Sequence, residues 1–131
     1  MDFTERLDMY VEAKMITEDD KKDVNKVIKM FHDRYGAVLT EENADMFIAH
    51  LCAAYGRNKT HEEIPPLDEA SKKELLGLPS YQQSVEILNS ITAVTDNQFN
   101  DIEKDYVLLH LNNLIAKLKE DGEWETKSSE K

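Results

Sequence analysis

The sequence predicts an all-α protein, a compact bundle of about five to six helices. Three observations carry this. Apolar residues recur at helical spacing along successive stretches, and no segment alternates convincingly with period two. Only four Gly and three Pro occur in 131 residues, too few turn residues for many short strands. The mix of 40% hydrophobic and 33% charged residues suits one soluble domain with a real core.

A first short helix is expected from Thr4 to Ala13, with Phe3, Leu7, Tyr10 and Val11 on one side. Thr17 then reads as an N-cap, and Glu18, Asp19 and Asp20 suit the positive end of a helix dipole. The helix that follows carries Val24, Val27, Ile28 and Phe31, and Gly36 ends it in the left-handed conformation. Thr40, with Glu41 and Glu42 behind it, repeats the start signal for a helix through Ala44, Phe47, Ile48, Leu51 and Tyr55, with Gly56 near its end. Arg57 to Pro66 reads as a loop, because the Pro65-Pro66 pair cannot lie inside a helix. A short helix follows from Asp68 to Leu76 and is broken by Gly77 and Pro79. Ser80 caps another that carries Tyr81, Val85, Leu88 and Ile91. Thr95, Asp96 and Asn97 mark a turn, and the last helix starts near Asn100 or Asp101 with Ile102, Tyr106, Leu109, Leu114 and Leu118. Three parts are expected: an N-terminal helical extension over 1–20, a helical domain over 21–120, and a flexible polar tail over 121–131 anchored by Trp124.

The net charge of −11, with no basic run, argues against direct nucleic-acid binding, which draws affinity from Lys and Arg on phosphates. It also argues against an anionic membrane surface. No apolar run reaches membrane-spanning length and the N-terminus lacks a signal-peptide pattern, so a cytoplasmic location is expected. Cys52, the single cysteine, reads as a small core residue.

Four histidines are candidates for chemistry. His61 lies beside Glu62 and Glu63 and reads as solvated; His32, near a helix end, reads as a dipole partner. His50 and His110 differ, because each sits in an apolar helical run. One such histidine is more often a hydrogen-bonded core residue than a working one. A pair on separate helices admits a metal site with Glu103 and Asp45, acid–base catalysis, or phosphorylation by a partner protein. The metal reading lacks HExxH and any cysteine cluster. The catalytic reading lacks a phosphate loop, a nucleophile elbow and a matching carboxylate pair. No catalytic residue, metal or cofactor is assigned.

Several motifs in order bear on the choice. His50 is followed seven positions later by Arg57; then come Pro66-Leu67, Pro79-Ser80-Tyr81, and finally Glu103, Tyr106 and His110. With this set, the stretch from about Val24 to Leu118 resembles the phosphotransferase-system regulation domain (PRD), present as a single copy. The resemblance implies a non-enzymatic helical domain phosphorylated on His50 and His110, with Arg57, Glu103 and Tyr106 in support. It implies a phosphocarrier protein or an enzyme II component as donor, a homodimer, and a role in bacterial transcription regulation (antitermination or activation). With no effector module among these residues, the signal is expected to pass through a partner protein. Family members often carry an aspartate before the first histidine, where this chain has Ala49. That departure favours an alternative, a PRD-like scaffold or dimerisation module that is never phosphorylated. A small metal-binding protein is a distant third.

Overall fold

A computed structural model describes residues 3–95, 98–122 and 124. Among them six helices and no strand form: α1 (Thr4–Glu12), α2 (Glu18–Tyr35), α3 (Glu41–Thr60), α4 (Glu69–Leu76), α5 (Tyr81–Val94) and α6 (Asp101–Glu120). The all-α bundle expected from the sequence is the observed architecture. No helix among the described residues is long and apolar enough to cross a membrane.

Local chemistry sets most of the boundaries. Thr17 opens α2 with a reciprocal capping box: the Asp20 N–H donates to Thr17 Oγ1 at 3.0 Å and the Thr17 N–H to Asp20 Oδ2 at 3.1 Å. Gly36 closes α2 at φ 66°, where its N–H reaches the His32 carbonyl and that of Ala37 reaches Phe31. Asn100 Oδ1 accepts the Glu103 N–H at 2.8 Å, which fixes the first turn of α6. The start of α5 is different from the sequence expectation. The Ser80 hydroxyl makes no capping bond; instead Asn112 on α6 accepts the Ser80 N–H at 3.1 Å, so a neighbouring helix orients this end.

The third helix also departs from expectation. Helix α3 runs past Gly56 to Thr60 and ends at His61, whose φ of 61° is left-handed. Arg57 is therefore helical and the loop begins at about His61. Gly56 marks a close approach, not a stop. A Cβ there would lie 2.9 Å from the Met15 carbonyl oxygen in the linker between α1 and α2.

Helix α6 packs on α3, α5 and α4, while α2 packs on α1, α3 and α5. Phe31, Ile48, Leu51, Tyr55, Ile91 and Leu111 are fully buried between them. The buried stripe of α6 is Val107, Leu108, Leu111, Leu114, Ile115 and Leu118, whereas the expected Ile102, Tyr106 and Leu109 are only half-buried. The phase shifts because α6 faces α3 on one side and α5 on another, so its apolar face is wider than a single stripe. On α2, likewise, Met30 and Tyr35 are buried and Ile28 is half-buried.

The expected division at residue 20 falls inside α2. Asp20 is fully buried and pairs with Lys59 of α3 at 3.0 Å. Phe3, Leu7 and Ile16 lie in the same core, so α1 and the linker after it pack with the other helices. At the other end Trp124 stacks on Tyr35, with centroids 5.1 Å apart and planes at 17°. Residues 123 and 125–131 of the expected tail, and Asp96 and Asn97 of the expected turn, lie outside the described residues.

Replacing Gly56 tests the close approach. Alanine is the better helix former by about 1 kcal/mol. Its methyl group, however, meets backbone that cannot rotate away. We expect Gly56→Ala to cost about 1–2 kcal/mol net, in the range for overpacking, read as a lower urea midpoint at unchanged m-value.

Candidate functional site

His50 projects from α3 and His110 from α6, sixty residues later in the chain. Their ring centroids are 4.4 Å apart with planes tilted by 32°. Tyr106, one turn before His110, lies 5.9 Å from the His50 ring at 26°. All three are half-buried, at the rim of the α3–α6 contact. The Tyr106 hydroxyl donates to the Pro65 carbonyl at 2.8 Å, which ties the α3–α4 loop to α6.

Arg57 and Glu103 form the floor of this site. The Arg57 Nε donates to Glu103 Oε2 at 2.6 Å and Nη2 to Oε1 at 2.9 Å, a bidentate pair. The Glu103 side chain is 3% exposed and that of Arg57 19%. A carboxylate this deep is tolerable only because a planar guanidinium covers it and it lies in the first turn of α6. The resemblance implied that Arg57 supports the histidines. The structure commits its guanidinium to Glu103, with its positive charge close enough to act on His50.

Burial pushes the His50 pKa down to about 4, helped by neighbouring His110 and Arg57 and opposed by Glu103. Burial lowers His110 as well. Both rings are thus neutral at pH 7, and each keeps one nitrogen lone pair. The Nε2 of His50 is sealed from solvent and has no hydrogen-bond partner among the described residues. His110 opens instead onto a groove of about 290 Å³ between the start of α3 and the middle of α6. Asn43, Met46, Asn113 and Lys117 line it. Met46 is 70% exposed there.

The sequence did not single out this groove. Asn113 and Lys117 follow His110 by three and seven positions, a spacing that places them on its side of a helix. That spacing is a usable signal.

The remaining candidates are dispersed. Asp45 pairs with Arg6 and Glu103 with Arg57, so both carboxylates considered for a metal are engaged. Among the described residues no group of three or more His, Cys, Asp or Glu could hold a metal ion. His32 is exposed against Asp33, and His61 is exposed at the end of α3. Cys52 is buried, and burial pushes its thiol up to about 12, which suits a core residue and not a nucleophile.

Two outcomes check this geometry. His50 has a folded-state pKa below its unfolded value of 6.5, so its contribution is complete above pH 6.5 and is lost as pH falls toward about 4. Urea midpoints should therefore fall across that window, and less steeply in His50→Gln. Separately, Arg57→Ala leaves the Glu103 charge buried and unpaired, at a cost of about 3–5 kcal/mol. The double replacement Arg57→Met with Glu103→Leu should cost clearly less than Arg57→Ala alone.

No protein-family model matches the chain, and no solved structure matches it significantly. A curated relative, the uncharacterized protein YhfY of Escherichia coli (strain K12), is 26% identical over 106 residues, which covers 81% of this chain and 88% of that protein.

Proposed function

We propose that this chain is a regulatory module of the phosphotransferase-system regulation type, phosphorylated on histidine to signal sugar availability. The observation that carries the reading is the adjacency of His50 and His110, two neutral imidazoles from separate helices 4.4 Å apart. A neutral imidazole offers a lone pair to phosphorus, whereas a protonated one does not. In the transfer, a new N–P bond forms as the bond from phosphorus to the donor side chain breaks; the donor side chain leaves with that electron pair and takes up, through water, the proton the acceptor ring releases. Support comes also from Arg57 and Glu103, which join α3 to α6 beneath the pair, and from Tyr106, which stacks on His50.

The donor is a phosphocarrier protein or an enzyme II component, in the cytoplasm. A phosphoryl group brings about two negative charges and strong acceptor oxygens. Placed at the α3–α6 contact, it biases packing there and, in a homodimer, the packing of two subunits. The readout passes to a transcription regulator through a partner protein, since a chain of net charge −11 is a poor ligand for nucleic acid.

A second reading has its own support. Ala49 replaces the family's usual aspartate, Arg57 is engaged by Glu103, and His50 Nε2 is sealed. These three features favour a scaffold or dimerisation module that is never phosphorylated. Incubation with phosphoenolpyruvate, enzyme I and phosphocarrier protein, followed by mass spectrometry, separates the two. Acid-labile phosphate on His50 or His110 is the expected outcome. None from that system or from any enzyme II component would leave the scaffold.

A further inference from the structure

We infer that His50 and His110 form a single acceptor that holds one phosphoryl group, seated on His110, and are not two independent phosphorylation sites. This rests on the reading of the pair as a phosphoryl acceptor and adds its capacity and its address.

The address follows from access. Both rings are half-buried, but the Nε2 of His50 is sealed, so a donor can meet that ring only at Nδ1 without parting the helices. His110 faces the groove of about 290 Å³, which has room for a tetrahedral phosphoryl group. The groove also supplies donors of the right kind. Asn113 and Lys117 stand on the same side of α6 as His110, and among the described residues the ion pair of Lys117 is a long one, 3.5 Å to Asp121.

The capacity follows from charge and distance. With ring centroids 4.4 Å apart, a second phosphoryl on His50 would set one dianion against another at the helix contact. The cation on that side, Arg57, is already spent on Glu103, and removing it would uncover a buried carboxylate. Glu42 lines the groove as well and Asp45 there is balanced by Arg6, so the groove holds no surplus of positive charge for a second dianion. One dianion can be met by Lys117 and Asn113; two cannot. His50 then serves as the packing face that holds the His110 ring in place.

Phosphoramidate tests this without a protein donor. A ring nitrogen forms the new N–P bond as the reagent's P–N bond breaks, ammonia leaves with the electron pair, and the excess ring proton goes to water. The full chain is used with exposed His32 and His61 replaced, as His32→Gln and His61→Asn. Asparagine tolerates the left-handed backbone of His61. Intact-mass and fragment spectra at saturation should show one phosphoryl per chain, on His110. A chain carrying phosphoryl groups on both histidines, or on His50 with His110 free, would overturn the inference. Labelling of neither would overturn it together with the regulatory reading. A single phosphoryl on His110 here, with none from the phosphotransferase donors, would sink only the regulatory reading and leave the single acceptor standing.

Discussion

The bidentate pair between Arg57 and Glu103 is the constraint on which the rest of the site depends. It joins α3 to α6 at one fixed point, since the two parallel bonds from Nε and Nη2 hold guanidinium and carboxylate in one plane. Once Arg57 is opposite Glu103, helical spacing does the remainder. His50 lies two turns before Arg57 and His110 two turns after Glu103, so in antiparallel helices the two rings must meet. The pair costs desolvation energy that a purely apolar contact would not, and an apolar contact would pack at least as stably. What a charged pair adds is register: a slip of either helix by one residue would separate the charges and expose the carboxylate to the core.

That register explains the electrostatics above it. Arg57 places a positive charge below His50, and the surrounding side chains remove water from both rings. Each effect disfavours the imidazolium, and Glu103 offsets only part of it. The result is a pair of uncharged aromatic bases in contact at a protein rim, with Tyr106 extending the stack and the Pro65 carbonyl holding Tyr106. The groove beside His110 gives this arrangement an open side.

Much of the fold was legible in the sequence because it is written in short-range chemistry. Thr17, Gly36, Asp68 and Asn100 act where local rules place them. The failures have a common origin in contacts between distant segments. Gly56 looked like a helix end because glycine often is one; its role is to admit the Met15 carbonyl, which only the folded chain brings near. Ser80 looked like a cap, but the bond at that end comes from Asn112 on another helix. The wide buried face of α6 could not be phased without knowing that it has neighbours on more than one side. At the site, the sequence named His50, His110, Arg57, Glu103 and Tyr106 and the structure gathers all five. The engagement of Arg57 by Glu103, and the groove past His110, depend on side-chain directions that one-dimensional spacing does not carry.

The lone cysteine has a practical consequence. Cys52 lies in the core of α3 with a thiol that stays protonated well beyond neutral pH. That thiol is therefore shielded from ordinary air oxidation, and no second thiol exists for it to cross-link with inside the chain. A maleimide can reach that sulfur only when the middle of α3 swings clear of its neighbours. Its labelling rate is thus a built-in clock for how often the centre of this molecule comes apart.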